Sequence, residues 1–445
     1  MSADPAAPWA GRTLHFVGIG GAGMSGWASV AVELGARVSG SDRADSPALA
    51  ALRARGVEAH AGHAAANLPA GDTVEVVYST AVPADNPELV LARERGLRVM
   101  ARAELLRELT SLKRTIAVAG AHGKTTTTSM AAHILLGCGM DPGYLIGGTL
   151  GTTGRNAAWG GGEWLVVEAD ESDRSMLALQ VDIAVVTNVE LDHHANYASL
   201  YEVRDVFREF LSGPPQAVIL DRPDLLELRG DAPVVPFDVP DPVLGPTGSR
   251  FAWRGLEVRL GVPGAHNARN AAAALEAAAL AGADPHAAIA AIATFAGAGR
   301  RIETLGYTVR GVQVVDDYAH HPTEVAATIA AARTLRPRRL VAVFQPHLYS
   351  RTQHLAGAFG RALAGADVAC VLDVYPARER AADFPGISGR TIAAAVVDAA
   401  PGREVLWLPT FDDAERVLRA RLREGDLLLV LGAGDVRSLG ERLVA

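Results

Sequence analysis

One stretch limits the fold more than any other: Val118-Ala119-Gly120-Ala121-His122-Gly123-Lys124-Thr125-Thr126-Thr127-Thr128. The run before it, residues 114–119, is apolar and β-branched and reads as a buried strand. The run after it, residues 129–136, reads as a helix. Glycines let backbone N–H groups turn toward an anion without a Cβ in the way. The new helix adds its free N–H groups and the positive end of its dipole. Lys124 can reach the phosphates of a nucleotide as a point charge, and the Thr125 hydroxyl can hold Mg²⁺. The usual spacing, G-x-x-x-x-G-K-[ST], is shortened here because Val118 stands where its first glycine would be. A plain glycine turn with a surface lysine is the alternative. It leaves unexplained why strand, glycines, lysine and threonine all agree.

At 445 residues the chain exceeds one ordinary core and reads as several domains. A formal net charge of −8 with no long basic run argues against nucleic acid as a partner. Cys138 and Cys370 are too few for a disulfide framework and have no metal-type spacing. Residues 1–9 lack a signal-peptide pattern, and no apolar run of spanning length appears, so a cytoplasmic protein without a membrane segment is expected. Monomer and homodimer both remain open.

The first part of the chain carries a second glycine loop. Residues 13–17 read as a strand, followed by Gly18-Ile-Gly20-Gly21-Ala-Gly23-Met24-Ser-Gly26, a helix, and a strand ending at Asp42. This order matches a Rossmann unit, in which the acid meets a ribose. Such a loop binds a diphosphate without reporting what is attached, so a UDP-sugar satisfies it as well as NAD. Asp42 is equally readable as a turn residue. A later strand is read over residues 75–83, with Ser79 and Thr80 at the end where open α/β sheets bind ligands.

Past the Lys124 stretch, residues 146–154 read as a glycine-rich loop. The strand 164–168 ends in Glu168-Ala-Asp170-Glu171-Ser172-Asp173. Carboxylates clustered at a strand end beside a phosphate site suit a hard cation such as Mg²⁺. The next strand ends in Thr187-Asn188, and Asp192-His193-His194 follows, which reads as further metal-binding material. Residues 221–262 read as an antiparallel excursion. His266 and Asn270, four apart, open an alanine-rich helix. Residues 295–301 read as a hinge with the pair Arg300-Arg301. Beyond it, strands alternate with helices, which means a third, mostly parallel sheet. Its strand ends carry Asp316-Asp317-Tyr318, His320-His321, Gln345-Pro-His347-Leu348-Tyr-Ser-Arg351, Tyr375 and Gly434-Asp435, and so read as a ligand-facing rim.

Together these motifs resemble the Mur ligases, ATP-dependent amide-forming enzymes of peptidoglycan synthesis. The resemblance covers nearly the whole chain in order. It implies an α/β protein of three domains: a Rossmann-like N-terminal domain (1–112) for a UDP-sugar, a central P-loop ATPase-type domain (113–298), and a C-terminal Rossmann-like domain (299–445) that closes over both. The glycine loop and the segments around Asp317 and His347 are similar to the branch that adds L-alanine to UDP-N-acetylmuramate. That branch uses ATP and Mg²⁺ and passes through an acyl phosphate.

By this resemblance, Gly18, Gly20, Gly21, Gly23, Met24, Asp42, Ser79 and Thr80 meet the UDP-sugar. Gly120, Ala121, His122, Gly123, Lys124, Thr125 and Thr126 hold the phosphates, and Thr125, Glu168 and His193 bind metal. His266, Asn270, Arg301 and Asp317 contact the nucleoside, and His347 and Arg351 face the alanine carboxylate. Lys124, Glu168, His193, His347 and Arg351 are the residues of the chemical step. Three departures stand out. Ala121 replaces a usual threonine, and Leu348 replaces a common arginine. No lysine lies between His193 and Pro214, where sister ligases carry a carbamylated one. The murein tripeptide ligases share much of this pattern. An NAD-dependent oxidoreductase would use the first domain alone, and a non-catalytic nucleotide-binding regulator would leave the C-terminal rim idle.

Overall fold

The computed structural model describes residues 7–192 and 196–444. Contacts divide the chain into two units. The first holds Met1–Glu190, Tyr201–Asp238 and Ala273–Ala291. The second holds Leu191–Leu200, Val239–Ala272 and Ile292–Ala445. Among the described residues, no helix is long and apolar enough to cross a membrane.

The first unit contains two sheets. β1 (Thr13–Val17), β2 (Arg37–Asp42), β3 (Glu58–Ala61), β4 (Val74–Tyr78) and β5 (Arg98–Ala101) form a parallel sheet in the order β3-β2-β1-β4-β5. The order reverses beside β1, so the Gly18 loop opens at the switch point where such sheets take ligands. The strand read over residues 75–83 ends at Tyr78, leaving Ser79 and Thr80 in the loop beyond it.

The second sheet has seven strands. They are β6 (Arg114–Ala119), β7 (Gly143–Leu150), β8 (Arg155–Ala158), β9 (Trp164–Glu168), β10 (Ile183–Val186), β11 (Gln216–Leu220) and β12 (Val234–Phe237), in the order β12-β11-β10-β6-β9-β7-β8. Two expectations need correction. The segment expected as a glycine-rich loop is largely β7, which pairs with β9 and turns back into β8. Gly147 sits in it because a Cβ there would lie 2.9 Å from a Glu168 carboxylate oxygen. The excursion expected to be antiparallel, residues 221–262, includes β12, which pairs parallel with β11 and carries Pro236 at the sheet edge.

In the second unit, β13 (Val243–Gly245), β14 (Gly248–Trp253) and β15 (Leu256–Leu260) make the expected antiparallel piece. The larger sheet contains β16 (Glu303–Tyr307), β17 (Gln313–Asp317), β18 (Arg339–Phe344), β19 (Val368–Val371), β20 (Glu404–Trp407) and β21 (Asp426–Leu431). Their order is β16-β17-β21-β18-β19-β20, with only β16 antiparallel. Alternate residues feed opposite cores. Val315, Phe344 and Leu429 pack on one face with Phe359 and Ile392, while Val314, Val343 and Leu428 pack on the other with Leu418 and Leu439. A sheet covered on both faces needs continuous apolar strands, which these are. Polar groups are therefore confined to the strand ends.

Candidate active site

β6, β9 and β10 lie side by side in register, Val118 opposite Glu168 and Ala119 opposite Val186. Their carboxyl ends therefore deliver the Gly120 loop, the acidic run and Thr187-Asn188 to one edge. Gly120 has φ 142°, and a Cβ on it would lie 2.1 Å from Thr187 Oγ1. Gly123 caps the helix Lys124–Gly137 with φ 83°. Only glycine takes both positions without strain. The Asn188 side chain accepts the His122 N–H at 2.9 Å and donates to the His122 carbonyl at 2.8 Å, and Thr187 Oγ1 donates to the same carbonyl at 2.7 Å. His122 Nε2 lies 3.3 Å from Glu190. Ala121 and Thr125 are half-buried at this edge, and Thr126 is buried.

Lys124 donates to the Gly120 carbonyl at 2.6 Å and to both Glu171 oxygens at 3.1 and 2.8 Å. Burial works against its charge, but Glu171 and Asp170 outweigh it and raise the pKa. Burial likewise opposes ionisation of Asp170, yet Lys124, Ser172 and Arg102 hold it down at about 2. Glu168 accepts the Gly147 N–H at 2.6 Å. Thr125 and Glu168 offer oxygen donors only, which is the chemistry Mg²⁺ takes, so the donor set fits the metal. His193, expected as a third ligand, lies outside the described residues, as does His194. Glu171 and Asn188 were not singled out as site residues. Both sit inside quoted runs, and only the sheet register shows what they face.

The first sheet holds its glycine loop from below. Asp42 Oδ2 accepts the Gly20 N–H at 2.8 Å and Oδ1 accepts the Arg43 N–H at 2.8 Å, so this acid shapes the loop. Gly18 has φ 85° and faces Ser79. Gly21 is exposed, Gly23 half-buried, and Met24 buried under the loop at 3% exposure. Behind them Glu88, fully buried, accepts from Ser41 Oγ at 2.5 Å, Asn67 at 2.8 Å and the Ala64 N–H at 3.0 Å, with His15 Nε2 at 3.2 Å. Burial alone would raise its pKa, but these partners bring it to about 2.

The second unit brings together two groups of expected site residues. In one, Arg301 lies over the Tyr318 ring at 5.5 Å and 3.6 Å from Glu324. Asp317, 3% exposed, accepts the Ile302 and Ala319 N–H groups at 2.9 Å each. Burial raises its pKa to about 6 against the pull of Arg301. His266 is pushed down to about 4, by burial first and then by Arg301, which places its ring near that guanidinium. Asn270 is buried, 3.5 Å from the Asn267 side chain.

In the other group, His347 bridges to Tyr375, its ring stacked at 5.7 Å and edge-on to His320 at 5.9 Å. Burial, His320 and Arg351 lower its pKa to about 3, so it is neutral at pH 7. Arg351 is buried at 4% exposure. It donates from Nε and Nη2 to Asp192 Oδ1 at 3.1 and 2.8 Å, and its Nη1 lies 3.3 Å from His347 Nδ1. The Asp192 pairing was not foreseen, since the two residues are 159 positions apart. Leu348 is buried with φ 71°, where the helix Tyr349–Leu363 begins.

Three family models match in sequence. The Mur ligase family catalytic domain matches residues 13–114, the Mur ligase middle domain 118–239, and the Mur ligase glutamate ligase domain 300–434. A UDP-N-acetylmuramate–L-alanine ligase from Pelotomaculum thermopropionicum is 44% identical over 97% of this chain and 97% of its own. The crystal structure of the UDP-N-acetylmuramate–alanine ligase from Thermotoga maritima superposes with a TM-score of 0.83 at 29% identity, covering 97% of this chain and 98% of that one. A murein peptide ligase from Psychrobacter arcticus superposes with a TM-score of 0.71 at 26% identity, covering 97% and 98%. By its matched domains and by its near-full-length likeness to these proteins, the chain belongs to the Mur ligase family.

Proposed function

We propose that this chain joins L-alanine to the lactyl carboxylate of UDP-N-acetylmuramate, with ATP as the activating co-substrate, in peptidoglycan precursor synthesis. It is an ATP-dependent amide-forming ligase. A near-full-length match, 44% identical, to a relative named for that activity supports the choice of L-alanine over a tripeptide. We place the protein in the cytoplasm, where its nucleotide substrates are, and divide it into a UDP-sugar domain (1–112), a central ATP domain (113–298) and a C-terminal domain (299–445).

A carboxylate is a poor acylating agent until one of its oxygens becomes part of a phosphate leaving group. In the proposed reaction the lactyl carboxylate oxygen attacks the γ-phosphorus and the bond to the β-phosphate oxygen breaks, giving ADP and an acyl phosphate. The neutral amine of L-alanine then attacks the acyl carbon, inorganic phosphate leaves, and the amine gives up a proton. Two anions must approach each other in the first step, so preorganised positive charge is the main requirement. Lys124 supplies it by exchanging Glu171 for phosphate oxygens. The N–H groups of residues 120–126, apart from that of His122, which Asn188 holds, would cradle the phosphates. Thr125, Glu168 and His193 would hold Mg²⁺, which adds charge neutralisation at the γ-phosphate when bound.

The Gly18, Gly20, Gly21 and Gly23 loop, held by Asp42 and floored by Met24, receives the diphosphate of the sugar nucleotide, with Ser79 and Thr80 beside it. His266, Asn270, Arg301 and Asp317 receive the nucleoside of ATP. Neutral His347 and Arg351 face the alanine carboxylate. Arg351 has N–H groups to spare, because Asp192 and His347 take three of its five.

The test is phosphate release with UDP-N-acetylmuramate, ATP and Mg²⁺, adding L-alanine, glycine, L-serine or a murein tripeptide in turn. Release with L-alanine is expected. Release with the tripeptide alone would select the murein peptide ligase reading, and release with none would overturn both.

A further inference from the structure

The backbone just ahead of β16 leaves the ordinary regions twice within three residues. Arg300 has φ 58° and Ile302 has φ 49°. Glycine takes such angles freely, whereas a β-branched isoleucine there is a rare and strained choice. Strain of this kind persists only where the surroundings over-determine it, and here they do. The Arg300 N–H donates to Glu303 at 2.8 Å, and its carbonyl accepts the Tyr318 N–H at 2.9 Å. The Arg300 guanidinium lies over the Tyr318 ring at 4.7 Å, donates to the Gly432 carbonyl at 2.8 Å and reaches Asp316 Oδ2 at 3.3 Å.

A second arginine closes the ring. Arg437, from the helix Arg437–Val444, makes a two-pronged contact with Glu303 at 2.8 and 2.9 Å and donates to the same Asp316 oxygen at 3.1 Å. Asp316 is fully buried, and among the described residues its other oxygen has no hydrogen-bond partner. Leaving a buried carboxylate oxygen unmatched is unfavourable. The proposed chemistry uses none of these four charged groups. What they determine is the course of residues 300–303. That course carries Arg301 toward Glu324 and sets the Ile302 N–H on the Asp317 carboxylate.

We propose that Arg300, Glu303, Asp316 and Arg437 are positioning residues for the nucleotide, locking residues 300–303 in left-handed turns so that Arg301 and Asp317 are set before ATP arrives. This rests on the reading of Arg301 and Asp317 as nucleotide contacts. A loop ordered in advance has less freedom to lose on binding. Releasing it weakens ATP binding without touching the other two substrates.

Arg437→Gln and the milder Glu303→Gln test this, with KM for each substrate, the dissociation constant of ADP and the melting temperature all measured. The expected result is that the ATP and ADP constants rise about tenfold, a loss of about 1.4 kcal/mol. The UDP-sugar and L-alanine constants hold within about twofold. The double variant costs less than the sum of the two single ones, since they share the Arg437–Glu303 contact. Arg437→Lys restores little, because a point charge cannot form the fork. Unchanged ATP and ADP constants overturn the proposal, and so do three KM values rising together with a fall in melting temperature. Arg301→Ala separates the layers. If it leaves ATP binding intact, the nucleotide reading fails and takes the proposal with it. If it weakens ATP binding while Arg437→Gln does not, the clamp alone is wrong.

Discussion

The proposed phosphate cradle of the first unit and the proposed ligand rim of the second are built from different materials. The cradle is made of backbone. Gly120 and Gly123 take φ values of 142° and 83° with no side chain of their own, and neighbouring Thr187 and Asn188 only steady the His122 peptide between them. The rim is made of side chains. Arg300, Ile302 and Leu348 hold positive φ without being glycine, and arginine–carboxylate pairs fix what the backbone does not. A backbone site writes itself into a short motif. A side-chain site is spread across the chain, as Asp192 and Arg351 show.

This contrast can be pressed hardest at Lys124. Lys124→Ala removes the charge proposed to offset two meeting anions. Turnover should fall about 10³-fold or more, while UDP-sugar binding measured by calorimetry stays intact. Loss of sugar binding would mean that the cradle and the glycine loop are not separate sites. Gly120→Ala is next. Its Cβ would lie 2.1 Å from Thr187 Oγ1 at a strained φ, and the expected cost is about 3–5 kcal/mol in denaturant unfolding. A neutral result would show that the cradle tolerates side chains as the rim does.

Two buried carboxylates sharpen the comparison further. Glu88, surrounded by donors, titrates at about 2 against an ordinary 4.5, whereas Asp317, with fewer donors and Glu324 nearby, titrates at about 6 against 3.8. The signs are opposite. Folded Asp317 binds the proton more tightly than the unfolded chain does, so its contribution is complete below about pH 4 and is lost as pH rises through 6. Glu88 contributes above about pH 4.5 and loses that contribution as pH falls toward 2. Each shift corresponds to about 3 kcal/mol. In urea unfolding against pH, Asp317→Asn should flatten the curve between pH 4 and 7, and Glu88→Gln should flatten it below pH 4.5. The smallest effect is expected at Arg351→Lys, which keeps the charge but not the fork that holds Asp192 and is proposed to reach the alanine carboxylate. The L-alanine KM should rise about tenfold with the ATP KM unchanged.

The same contrast explains what could be read from residues alone. The apolar runs that became β1, β6, β9, β18 and β21 were legible because sheets covered on both faces demand them. β7 was not, because Gly147 reads as loop until the Glu168 carboxylate is seen occupying the space of its missing Cβ. β12 was misread because a proline in a short run suggests an excursion, and only the sheet order shows an edge strand that tolerates it. Gly120, Lys124 and the acidic run suggest a phosphate site from the residues alone. The choice of Glu171 as the Lys124 partner, and of Asp192 as the Arg351 partner, depends on register and long-range packing that no local pattern carries.

The account stands on phosphoryl transfer to a carboxylate. UDP-N-acetylmuramate labelled with ¹⁸O in the lactyl carboxylate, turned over with ATP, Mg²⁺ and L-alanine, tests this most directly by mass spectrometry of the products. One labelled oxygen should appear in the inorganic phosphate and the other should stay in the new amide. Phosphate free of label, with amide formed, would contradict the mechanism.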